Sequence, residues 1–177
     1  MNIKMTLLTI AALLSVANPL LAGNREGAFT LSPFFGGPMF LMGSEHLDSD
    51  FKWGIRGGYN FTRNLGAEFV YGRINTVHDP EVIHANVYQY GADALYYFRP
   101  GKDLVPFLVA GFGAFTVDYN YGIPDLTSAY FNYGAGVAYS LTNWLALRAD
   151  IRHTIVFDGG ISALEATGGL RFQFGGR

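Results

Sequence analysis

The sequence predicts an all-β protein: an eight-stranded, antiparallel, up-and-down transmembrane β-barrel. Three observations predict it. Segments of roughly ten residues alternate apolar and polar side chains with period two, which is the repeat of a strand with two unlike faces. The connections between these segments alternate in length, long then short. Beyond the first 22 residues, no run approaches the roughly 20 apolar residues of a membrane helix, although 15 Phe, 11 Tyr, 2 Trp and 23 Gly are present.

Residues 1–22 read as a secretory signal peptide. Lys4 supplies the positive start. An apolar run broken only by Thr and Ser follows from Met5 to Ala17, and Asn18-Pro19 ends it. Ala22 is a small residue before Gly23, so the mature chain is expected to be one domain over residues 23–177. The chain has no cysteine, which excludes a lipid-modified cysteine anchor, a disulfide framework and a cysteine metal site. It has 12 basic residues, Lys4 among them, against 14 acidic ones. That balance leaves no basic footprint for nucleic acid.

The first strand is expected over residues 27–41, with Pro33 and Pro38 making it bulged or irregular because proline removes a ladder donor. The second, 51–61, sets Phe51, Trp53, Ile55, Tyr59 and Phe61 against Lys52, Arg56 and Asn60. The third, 65–74, sets Leu65, Ala67, Phe69 and Tyr71 against Gly66, Glu68, Val70 and Gly72. In the fourth, 85–99, Tyr88, Tyr90, Ala92, Ala94, Tyr96 and Phe98 oppose Gln89, Gly91, Asp93, Tyr97 and Arg99. Pro100-Gly101-Lys102-Asp103 then makes a tight turn. The fifth, 104–119, is apolar on both faces; we place Gly111 and Gly113 inward and Phe112 outward. The sixth, 129–141, alternates Phe131, Tyr133, Ala135, Val137 and Tyr139 with Asn132, Gly134, Gly136 and Ala138. The seventh, 144–157, sets Leu145, Leu147, Ala149 and Ile151 against Arg148, Asp150 and Arg152. The eighth, 164–174, alternates Leu164, Ala166, Leu170, Phe172 and Phe174 with Glu165, Thr167, Arg171 and Gln173.

Alternation alone leaves open which face is outside. The aromatics favour an inverted barrel, because they collect near both strand ends as interfacial girdles do. Tyr59, Phe61, Tyr96, Phe98, Tyr139, Trp144, Phe172 and Phe174 fall toward the short turns. Phe51, Trp53, Tyr71, Tyr88, Tyr90, Phe131 and Tyr133 fall toward the long loops. The polar faces then meet in the lumen and bring Lys52, Arg56, Arg99, Arg148, Arg152 and Arg171 against Glu68, Asp93, Asp150 and Glu165. Eight strands enclose only enough space for side chains, so these groups are expected to pair and fill it.

On these residues the chain resembles the small eight-stranded outer-membrane barrels, the OmpA-like transmembrane domain and the OmpX-like proteins. P-F-L-V-A-G-F-G at residues 106–113, A-L-R-A-D-I-R at 146–152 and the ending G-L-R-F-Q-F carry the resemblance. Thr167, Gly169, Phe172 and Phe174 resemble the C-terminal signal that the barrel-assembly machinery reads, although Gly175-Gly176-Arg177 follow where the family stops at the last aromatic. The resemblance implies the outer membrane of a Gram-negative-type envelope, with short turns in the periplasm. It implies a structural or surface-interaction role, alone or as a subunit of an envelope complex. Outer-membrane lipid, lipopolysaccharide and the assembly machinery are the implied partners, and no cofactor or metal is expected.

Competing functions are a deacylase-like enzyme acting on lipid A, a narrow pore and a soluble lipocalin-like barrel. His153 beside Thr154, with Glu165 on the next strand, follows the logic of a catalytic triad. The deacylase pattern, however, expects Ser-Asn shortly after the histidine, and Thr154-Ile155-Val156 stands here. His46, His78 and His84 lie beside Glu45, Asp48, Asp50, Asp79 and Glu81 with no diagnostic ligand spacing. The long loops hold these acids with Asp125 and Asp158 and no Lys or Arg, so contact with lipopolysaccharide phosphates is expected to need bridging divalent cations.

Overall fold

A computed structural model describes residues 23–42, 51–75, 85–119, 126–157 and 162–177. Residues 1–22, expected to be a signal peptide, lie outside them, as do Glu45, His46, Asp48, Asp50, His78, Asp79, Glu81, His84, Asp125 and Asp158. The described residues form eight strands: β1 (Ala28–Met42), β2 (Phe51–Asn60), β3 (Leu65–Asn75), β4 (Ala85–Tyr97), β5 (Leu104–Tyr119), β6 (Leu126–Ser140), β7 (Leu145–Val156) and β8 (Ser162–Gly175). Each pairs antiparallel with its neighbours in sequence, and β1 pairs with β8, so the sheet closes with no free edge.

The short turns follow from local chemistry. Thr62 Oγ1 accepts hydrogen bonds from the N–H groups of Asn64 (3.1 Å) and Leu65 (2.9 Å). Thr142 Oγ1 accepts from Trp144 (3.2 Å) and Leu145 (3.0 Å) in the same way. The same side-chain turn thus reverses the chain in two hairpins. In the β4–β5 turn Arg99 takes a left-handed φ of 51°.

Proline perturbs β1 as its sequence implies. Its ladder to β8 is interrupted at Ser32 and Pro33, and the register shifts between Pro38 and Phe40. β4 ends at Tyr97, two residues before the expected boundary. β6 and β8 begin earlier than expected, at Leu126 and Ser162.

The faces are inverted relative to a soluble barrel. Phe29, Phe69, Phe112, Leu147, Ile151 and Phe174 are exposed on the outside, Phe29 and Phe112 by 63% and 64%. Lys52, Arg56, Glu68, Asp93, Arg148, Asp150, Arg152, Glu165 and Arg171 are buried inside. A continuous apolar exterior of this kind is matched to lipid and not to water, which removes the lipocalin-like alternative. β5 is oriented as placed from sequence, with Gly111 buried and Phe112 exposed.

Candidate functional site

The site is the lumen. β7 puts Arg148, Asp150 and Arg152 on one inward face because successive inward residues lie two apart. In an eight-stranded ring β3 stands opposite β7, so Glu68 meets these arginines across the full width of the barrel. Its two oxygens accept a bidentate pair from Arg148, Nη1 at 2.7 Å and Nη2 at 2.9 Å, and a third bond from Arg152 Nη2 at 3.0 Å.

Asp150 is the second hub. It accepts from Arg152 Nε (2.6 Å), Arg148 Nε (3.2 Å) and both Arg56 Nη1 (3.2 Å) and Nη2 (3.3 Å). Arg152 Nη1 also donates to Asp93, whose other oxygen accepts from Asn132 Nδ2 at 3.1 Å. Arg56 Nη2 donates to Thr167 Oγ1 at 2.9 Å. Toward the outer end, Lys52 and Glu165 form a separate pair at 2.5 Å. Space for the acids comes from glycine: a Cβ at Gly111 would collide with Asp93 Oδ1.

The lumen is not all charge. Leu95, Tyr97, Val105, Phe107 and Val109, from β4 and β5, form a buried apolar wall. The guanidinium of Arg148 lies 4.7 Å from the Phe107 ring centroid, and that of Arg56 lies 4.0 Å from Phe34. Such stacking suits arginine, whose planar cation is weakly hydrated.

Two residues assigned to the charge network from sequence need correction. Arg99 is not in the lumen; it sits exposed in the β4–β5 turn because β4 ends before it. Arg171 is in the lumen, 2% exposed, but outside the ion-pair cluster. Its Nη2 donates to the side-chain oxygens of Asn24 (2.7 Å) and Asn60 (3.2 Å), and its guanidinium stacks 4.8 Å from Tyr97. The other eight charged residues meet as described above.

Of the residues resembling an assembly signal, Thr167 points inward to Arg56, and Gly169 packs against the Pro33 carbonyl, where a Cβ would collide. Phe172 faces outward and stacks on Trp144, with ring centroids 6.1 Å apart. Phe174 is exposed opposite Phe29 of β1. Thus these four residues belong to the seam that closes the barrel.

The triad considered from sequence is not assembled. His153 Nδ1 lies 2.9 Å from Tyr133 Oη on the outer face. Thr154 is buried on the inner face, and Glu165 is held inside by Lys52. Among the described residues no cluster of three or more His, Cys, Asp or Glu is placed to hold a metal ion.

An inverted eight-stranded barrel with an ion-paired lumen defines a bacterial outer-membrane class, and sequence comparison agrees. The model of the outer membrane protein beta-barrel domain family matches residues 8–174, and the chain belongs to that family. It resides in the outer membrane. No curated protein matches it. Among solved structures it is similar to Neisserial surface protein A, with a TM-score of 0.70 and 22% identity over 85% of this chain and 99% of that one. It is similar to the N-terminal β-barrel domain of OprF from Pseudomonas aeruginosa, at 0.64 and 23% over 85% and 100%. It is also similar to Ail, the attachment invasion locus protein of Yersinia pestis, at 0.57 and 15% over 84% and 99%.

Asp150→Ala removes the carboxylate that Arg56, Arg148 and Arg152 share; Arg148 and Arg152 keep Glu68, but Arg56 is left with Thr167 and a Glu68 contact at 3.9 Å. Breaking one side of a buried ionic network costs about 3–5 kcal/mol. We expect a loss of that size in urea unfolding from detergent or lipid, whereas Arg99→Ala should leave the midpoint unchanged.

Proposed function

We propose that this protein is a non-enzymatic structural or surface-contact barrel whose lumen is closed to solutes. The observation that carries this reading is the bidentate Arg148–Glu68 pair, which ties opposite walls together across the space a solute would cross. The β4–β5 apolar wall occupies the lumen beside it. In planar bilayers the purified barrel should give no large, stable conductance. Steady porin-sized openings would show that the crossing pairs part readily and would overturn the closed-lumen reading.

The exterior supports a role in the lipid and at the cell surface. Lipopolysaccharide is the partner we propose there, reached through the acidic loops by divalent cations. The names of two similar structures, a surface protein and an attachment protein, are consistent with surface contact. The absence of enzymatic activity is proposed from the separation of His153 and Glu165 onto opposite faces of the sheet. Cells overproducing the protein should carry unaltered lipid A, and His153→Ala should change nothing. Loss of an acyl chain that depends on His153 would reinstate the deacylase.

We further propose that Thr167, Gly169, Phe172 and Phe174 are read by the assembly machinery before the barrel closes. Phe172→Ala with Phe174→Ala removes two lipid-facing rings worth about 2 kcal/mol each by area, a loss that a finished barrel can tolerate. The double variant should therefore reach the outer membrane poorly in cells yet still refold in detergent to a heat-modifiable barrel. Normal insertion in cells would remove the signal assignment.

A further inference from the structure

The residues just before β1 turn back across the mouth formed by the short turns. Gly23 and Asn24 are buried there. The Asn24 amide nitrogen of the backbone donates to the Pro100 carbonyl in the β4–β5 turn at 2.7 Å. Its side-chain Nδ2 donates to the Arg63 carbonyl in the β2–β3 turn at 2.7 Å. Its Oδ1 accepts from Arg171 of β8 (2.7 Å) and Asn60 of β2 (2.9 Å). Gly23 reaches the remaining side of the ring: its N–H donates to Ser140 Oγ at the end of β6 (3.2 Å), and its carbonyl accepts from Gln173 of β8 (3.0 Å).

We propose that residues 23–27 are a plug that docks only on a closed barrel and locks the β1–β8 seam at the periplasmic mouth. The partners explain the dependence on closure. They come from two turns and from β2, β6 and β8, and an open sheet would hold β8 far from the β2–β3 turn. The side chains fit the task. An amide at position 24 donates at one end and accepts at the other, which a carboxylate or an alkyl group cannot do. Asn24 also accepts from Arg171, a buried cation that otherwise meets the Asn60 amide oxygen and the Tyr97 ring. A Cβ at Gly23 would collide with the Pro100 carbonyl. Arg25 adds a second tie to β8, Nη2 donating to the Gln173 carbonyl at 2.8 Å, and Arg177 N–H donates to the Glu26 carbonyl at 2.9 Å. The plug requires the closed barrel and is independent of whether the lumen conducts.

The test is limited trypsin digestion of the folded mature protein in detergent, with the Arg25–Glu26 cut followed by mass spectrometry. Docked, that bond should resist cleavage. Asn24→Ala should be cut there at least about tenfold faster, because proteolysis follows the population of the opened segment. The barrel of the variant should stay heat-modifiable on gels. Gly23→Val, which clashes with Pro100 and leaves Asn24 intact, should give the same acceleration. Equal cleavage at Arg25 in the wild type and both variants would overturn the plug.

Discussion

Pairing of β1 with β8 is the constraint on which everything else rests. In hydrocarbon no water is available to satisfy a strand edge, so a sheet is tolerated only when its ladder is complete. The seam closes the ring despite two prolines that interrupt its ladder. Ser32 and Pro33 drop out of the β8 ladder without a change of register, and the shift is deferred to the segment between Pro38 and Phe40. The side chains at the seam suit that economy. Gly169 lets the β1 backbone come close at Pro33, and Phe29 and Phe174 stand opposite each other on the lipid side.

Once the ring is closed, period two dictates the rest. Every second residue of each strand must enter a space that side chains alone can fill. Sequence reading could therefore place most of the lumen: Lys52, Arg56, Glu68, Asp93, Arg148, Asp150, Arg152 and Glu165 sit on faces whose opposite side is plainly apolar. Which acid meets which base was not legible. Glu165 lies across from Arg152 in the β7–β8 register, yet it pairs with Lys52 of β2. Such choices depend on depth and reach in the closed ring, and no local pattern carries them.

What the sequence did not show has a separate physical cause in each case. Arg99 continues the alternation of β4 on paper, but the left-handed backbone before Pro100 ends the strand first. The inner apolar wall was harder to read: β5 is apolar on both faces, so only the inward placement of Gly111 and Gly113 put Val105, Phe107 and Val109 in the lumen. The role of Asn24 was hidden differently: a short polar segment before a strand has no period to read, and its partners are distant in sequence.

The wall and the ion pairs are parts of one design. Five buried cations face four buried carboxylates among the described residues, so ionic pairing alone cannot neutralise the lumen. The surplus falls on Arg171, at the level of Tyr97, where a ring face and two amide oxygens receive it. Stacking a guanidinium on an aromatic ring is favourable when both are shielded from water, and the same device recurs with Arg148 on Phe107 and Arg56 on Phe34. The apolar residues of β4 and β5 therefore do more than fill volume. They exclude water from the arginines, which strengthens each bond to Glu68 and Asp150, and they offer π faces to cations that the carboxylates leave partly uncompensated.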